Sequence, residues 1–232
     1  MQSPRSRLVR LLGVVLVVAS ALPAPMARAA TFTVTDAPGL IAALNTANSN
    51  NADDLIVLGA DIVLTAVDNT ADGQNGLPSI GGDSGHSLTL DGQGHTLSRS
   101  GVTAFRILHV ASGATLTLRH VRIQNGLASA GGLGTLGAGL YSAGTLTVER
   151  SVFASNTATT SSGLGAGIFI NQGATTLTES TFTGNTGAMG VGVYAYQATV
   201  HLTGNTFTGN SGTSGGAALA NETGTVTLTN NT

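Results

Sequence analysis

Few side chains in this sequence could carry chemistry. Its 232 residues include 11 acids, 9 bases and 5 histidines, and every base is an arginine. Paired carboxylates can hydrolyse a glycosidic bond. The catalytic candidates of that kind are Asp53 and Asp54, just ahead of an apolar run, and Asp91, in an Asp-Gly turn. Glu149 and Glu179 read differently. The repeat register sets Glu149 beside Arg119 and Glu179 in the column of Arg150 and His120, where acids meet cations across a ladder. His86, His95, His109, His120 and His201 lack the paired spacing of zinc ligands, so no metal or cofactor is expected. Gly132-Leu133-Gly134-Thr135-Leu136-Gly137 spells G-x-G-x-x-G. A dinucleotide fingerprint needs a strand before it and a helix after it. Here a strand follows, and the stretch is loop composition.

Aromatic residues point to binding. Tyr141, Phe169 and Tyr194 share one repeat position. If Leu140, Ile168 and Val193 point inward, alternation puts the rings outside, as a stripe suited to carbohydrate or a protein partner. The other arrangement is an inward structural stack.

The elements that must position these groups come from a repeat. Between Gly137 and Thr232 one pattern is written three times and begun a fourth. Each copy opens on a small-residue strand (Gly139-Leu140-Tyr141, Gly167-Ile168-Phe169, Gly192-Val193-Tyr194) and continues with a second, such as Leu146-Thr147-Val148. Each closes on Phe-x-x-Asn, from Phe153 to Asn156, Phe182 to Asn185 and Phe207 to Asn210. Apolar residues alternate with Thr, Ser and Gly, which is strand periodicity, and a copy of about 25 to 30 residues suits one coil of a solenoid. The expectation is an all-β, right-handed parallel β-helix with rungs about 4.8 Å apart. Phe153, Phe182 and Phe207 then form an internal column, and Asn156, Asn185 and Asn210 an amide ladder at a turn.

Gly-x-Gly-[Leu/Ile/Val] followed by Phe-x-x-Asn resembles the repeats of polymorphic outer membrane proteins and related bacterial surface β-helices, which share the pectin-lyase-like fold. The resemblance covers roughly residues 87–232, with the fourth opening strand, Gly215-Gly216-Ala217-Ala218-Leu219, displaced from the pattern. It implies a surface protein. Enzymes of that fold cluster carboxylates around Ca²⁺ with a basic residue as proton acceptor, or use aspartates on one face. A polysaccharide lyase or glycoside hydrolase is therefore the alternative function.

Residues 1–29 read as a signal peptide: Arg5, Arg7 and Arg10, an apolar run from Leu11 to Leu22, then Ala27-Arg28-Ala29 before the cleavage point. Four of the nine bases and no acids lie there, so cleavage takes the formal charge from −2 to −6. Such a surface gives no reason to expect nucleic-acid binding, and the absence of Cys excludes disulfides. Residues 30–66 should supply a first coil and an amphipathic helix from Leu40 to Ala47 that covers the open end of the solenoid. A second, partial resemblance applies here: helix, Leu55–Leu58 and Ile62–Leu64 follow one another as in the entry segment of secreted bacterial β-helix proteins. Residues 67–86 read as a polar loop insertion protruding from an early coil, and residues 87–232 as the repeats, about six coils in all. The last repeat breaks off in mid-coil. The expectation is a secreted or cell-surface protein, the outer membrane included, acting as a non-catalytic adhesin or passenger-type module. Its partners would be carbohydrate or a host or cell-surface protein, with end-to-end self-association through the uncovered coil and any membrane anchor outside this chain.

Overall fold

The computed structural model describes residues 28–129, 131–159 and 162–232, so most of the expected signal peptide lies outside the described residues. The chain forms a parallel β-solenoid of about seven turns. Sheet I has eight strands: Thr31–Val34, Asp54–Leu58, Ser87–Asp91, Thr115–Arg119, Thr145–Glu149, Ala174–Thr178, Thr199–Thr203 and Thr225–Thr229. At about 4.8 Å per rung these span about 34 Å. Sheet II has six strands, from Ile62–Leu64 to Thr206–Thr208, and a short sheet III has four, from Leu127–Ala128 to Ser211–Gly212. Sheet IV has five, from Leu108–Val110 to Leu219–Glu222.

Alternation decides which side chains enter the core. In Thr115–Arg119 the leucines Leu116 and Leu118 are buried while Thr115 and Thr117 face outward, as a pleated strand with one covered face requires. Phe153 pairs with Phe182, and Phe182 with Phe207. Their rings stack with centroids 5.3 and 4.9 Å apart.

At both corners flanking sheet II a left-handed residue recurs, followed in the later turns by a polar residue and after His120 and Asn125 by Val121 and Gly126. Between sheets I and II the left-handed residues are His120, Arg150, Glu179 and Gly204 (φ 50, 43, 49 and 67°). After sheet II they are Asn125, Ser155, Gly184 and Gly209 (φ 61, 53, 61 and 61°). The second corner holds the expected ladder: Asn156 Nδ2 donates to Asn185 Oδ1 at 3.1 Å, and Asn185 Nδ2 to Asn210 Oδ1 at 2.9 Å. The first corner holds a ladder that sequence reading missed. Ser151 N donates to Ser180 Oγ (3.2 Å), Ser180 N to Asn205 Oδ1 (2.9 Å), and Asn205 N to Asn231 Oδ1 (2.9 Å).

The Gly-x-Gly motif also has a physical reason. Gly137, Gly165 and Gly190 take φ of 61, 57 and 53°, open to glycine at little cost. A Cβ on Gly139, Gly167 or Gly192 would lie 2.5, 2.4 or 2.5 Å from the carbonyl oxygen of the next rung.

Two features differ from expectation. Thr31–Val34 pairs in parallel with Asp54–Leu58, so the helix Ala37–Ala47 is the crossover between two strands of sheet I, and the turns number about seven instead of six. Asp36 caps the helix by accepting the Gly39 N–H at 2.8 Å, and Leu40, Ala43, Leu44 and Ala47 are its buried face. The 67–86 segment, in turn, does not protrude as a whole. Asn75 and Ile80 bridge in parallel to Arg106 and Val110 of the next turn, and Leu77 and Ile80 are buried in the main core. A polar, Gly-rich composition hid these two apolar anchors.

Candidate functional site

The three candidate aspartates are held apart in separate structural roles. Asp53 is exposed and accepts the Ser87 N–H at 2.7 Å and its hydroxyl at 2.9 Å. The Ser87 N–H, then its hydroxyl, hold the Asp53 carboxyl below the usual range. Asp54 points the other way and is buried. Its Oδ1 accepts the Ala30 N–H at 2.8 Å, and its Oδ2 has no hydrogen-bond partner among the described residues. Asp91 is buried at the corner between sheets I and II, bound by Arg119 Nε (2.8 Å), His120 Nδ1 (3.3 Å) and the Gln93 N–H (3.1 Å). Burial works to raise its pKa. The Gln93 N–H, with Arg119 and His120, outweighs that and leaves the carboxyl below its ordinary value.

Asp91 also changes the expected ion pairing. Glu149 stands in register beside Arg119, yet the guanidinium turns to Asp91. Glu149 approaches Arg150 instead, at 3.9 Å, and Glu179 meets Arg150 at the same distance, as its column implied.

Tyr141, Phe169 and Tyr194 do stack on the side of sheet IV away from the main core, with centroids 5.5 and 5.4 Å apart. They are not an exposed stripe. Leu136, Leu164 and Met189, from the segments entering sheet IV, cover them, and the three rings are buried. The Tyr194 hydroxyl donates to Glu222. Burial, then the Glu222 carboxylate, push its pKa up to about 12.

The stack continues below through His109, 5.3 Å from the Tyr141 ring. His109 is 1% exposed; its Nε2 lies 3.1 Å from Asp72 Oδ2 and its Nδ1 2.9 Å from Ser79 Oγ. The Asp72 carboxylate places a ring proton on Nε2, and the Ser79 hydroxyl has one hydrogen within reach of both Nδ1 and Asn69 Oδ1. Desolvation, then the charge of Arg106, lower the His109 pKa, so the ring is neutral. Arg106 itself is buried over the Tyr141 face at 4.8 Å, and burial lowers its pKa to about 10. A hydroxyl, an imidazole and a carboxylate in series have the form of an activated nucleophile. An acyl-transfer site also needs free oxyanion donors, and here the N–H groups beside Ser79 are committed. Ile80 N donates to His109 O and Gly81 N to Asn48 Oδ1. The chain of bonds instead pins the 67–80 segment to sheet IV. Sequence reading missed it because its three members share no motif and are brought together only by the fold.

A cleft of about 520 Å³ runs along the corner between sheets I and II. Val121 and Val152 floor it, and Gln93, His120, Arg122 and Arg150 stand around it. Arg122 Nε donates to Gln124 at 2.7 Å, and no carboxylate pairs with Arg122 among the described residues. Arg150 is largely exposed and, among the described residues, its side chain is held by two long contacts. The backbone groups around the cleft are spent on the ladders: Gly94 N donates to His120 O, Arg122 N to His95 O, and Val152 N to Val121 O. What it offers a ligand is cationic and amide side chains above an apolar floor. Among the described residues, no three His, Asp or Glu side chains are grouped to hold a metal ion.

Comparison of the chain with protein-family models, with curated proteins and with solved structures finds no match.

Proposed function

We propose that this protein is an exported surface solenoid that works by binding, an adhesin or passenger-type display module. In this reading it is a right-handed β-helix of the pectin-lyase-like kind, similar to the repeats of polymorphic outer membrane proteins, with the Ala37–Ala47 helix covering its first cross-section. The observation that carries the proposal is a contrast in how side chains are used. Asp53, Asp54 and Asp91 are each engaged in separate structural contacts, whereas Arg122 and Arg150 stand with little engagement around the corner cleft. A charged cleft with a small apolar floor suits side-chain recognition of an anionic group on carbohydrate or a cell-surface protein.

The test incubates the protein with uronic-acid and neutral polysaccharides, with and without Ca²⁺, following both retention and product release. Retention weakened about tenfold or more by Arg122→Gln, with no products released, is the expected outcome. Turnover that disappears in a folded Asp91→Asn variant would replace this reading with a polysaccharide lyase or hydrolase.

A further inference from the structure

Asp54 is an unusual carboxylate. It is 5% exposed, and no Arg or His side chain pairs with it among the described residues. One oxygen accepts a single backbone N–H, that of Ala30 at 2.8 Å, and the other is sealed from solvent with no partner. A buried charge left this way is costly unless something cationic meets it. The residue that touches it is the one that follows Ala27-Arg28-Ala29, the small-residue pattern of a leader cleavage site.

We infer that Asp54 is the docking site for the new α-amino group made by cleavage between Ala29 and Ala30, so that export processing completes the fold. The inference rests on the exported reading. Hydrolysis by a leader endopeptidase breaks the Ala29–Ala30 amide. The oxygen of water goes to the Ala29 carbonyl, which leaves as a carboxylate, and the nitrogen of Ala30 becomes a primary amine that takes up a proton at neutral pH. Where the uncut chain offers one amide N–H, the cut chain offers three N–H donors and a positive charge at the same atom. One donor keeps the bond to Oδ1, and a second can reach Oδ2 of the same carboxylate. Ala30 leads directly into Thr31–Val34, whose pairing with Asp54–Leu58 closes the first rung. The ion pair therefore fastens the first strand of sheet I, an edge strand with a partner on one side only. Sheet edges of this kind fray first.

The sequence provides an unusually clean test. With no Lys anywhere in the chain, the α-amine of the processed protein is its only primary amine, so an N-hydroxysuccinimide ester of acetic acid modifies that site alone. The full 232-residue chain is expressed with export, and the exported product is weighed by mass spectrometry, acetylated in denaturant, refolded and melted. The expected product begins at Ala30. Acetylation should lower its Tm by roughly 5 °C, the size expected for losing one charged hydrogen-bonded contact in a domain of this length. In Asp54→Asn, which keeps the acceptor oxygen but not the charge, acetylation should leave Tm unchanged. Native Asp54→Asn protein should also react with the ester faster than native wild type. A product that begins elsewhere overturns the inference, as does an equal Tm loss from acetylation in wild type and Asp54→Asn, or no loss in either. None of these results bears on the corner cleft, whose test is ligand retention.

Discussion

Replacing Asn185 by Ala measures what the ladder is worth. The side chain uses its full hydrogen-bonding capacity. Oδ1 accepts from Asn156 N (3.0 Å) and Asn156 Nδ2 (3.1 Å), and Nδ2 donates to Phe153 O (3.0 Å) and Asn210 Oδ1 (2.9 Å). Asn210 Oδ1 keeps another donor, Asn185 N. The main loss falls on the two Asn156 donors, in a residue with no exposure at all. A buried group left unpaired costs about 1–3 kcal/mol, so Asn185→Ala should destabilise by about 4 kcal/mol. Phe182→Ala, which empties a buried site between two stacked rings, falls in the same range of about 3–5 kcal/mol. Urea unfolding followed by far-ultraviolet circular dichroism compares the two, and hydrogen exchange shows whether protection is lost in the neighbouring rungs. An Asn185→Ala cost below about 1 kcal/mol beside a full Phe182→Ala cost would refute the reasoning, because water would then be replacing the amide.

Other expectations are as direct. Gly167→Ala places a Cβ 2.4 Å from the Gly192 carbonyl oxygen and should cost at least about 2 kcal/mol in the same urea assay. Stability should fall in two pH windows. The pKa of His109 is lowered below 6.5 in the folded protein, so the unfolded chain takes the proton first. The stability held by its neutral ring is complete above pH 6.5 and drains as pH falls below it. Asp91, lowered below 3.8, adds a second loss, with stability present above pH 3.8 and lost as pH falls through the folded value. Thermal melts across pH should lose the first phase in His109→Gln and the second in Asp91→Asn. Arg122→Gln should change unfolding free energy by no more than about 0.5 kcal/mol, as among the described residues the side chain bonds only Gln124.

What recurs by residue identity was legible from the sequence. Phe153, Phe182 and Phe207 with Asn156, Asn185 and Asn210 repeat at a common spacing, and stacking turns spacing into contact. The second ladder was written just as plainly, but its positions mix Ser151 and Ser180 with Asn205 and Asn231, and a pattern sought by residue identity passes over a shared hydrogen-bonding role. The rings of Tyr141, Phe169 and Tyr194 could be assigned to a column but not to an environment, since their cover comes from irregular segments around Leu136, Leu164 and Met189. Asp72 and Ser79 belong to the turn that departs from the repeat, and Arg106 and His109 to the turn stacked on it. The corner cleft was invisible for a related reason: its lining, from Gln93 and His120 to Arg122, Arg150 and Val152, comes from three successive turns and shares no motif.

The rung architecture has a mechanical consequence. Hydrogen bonds between rungs lie along the rod, so tension applied between its two ends loads them one rung at a time, as a peeling load. Tension applied along the strands loads a whole rung at once, in shear. Pulled end to end, the solenoid should yield at low force by shedding single turns. Each turn of about 25 to 30 residues would release about 80 to 110 Å of chain. A rod built this way lengthens stepwise under load, while the turns not yet reached keep their shape.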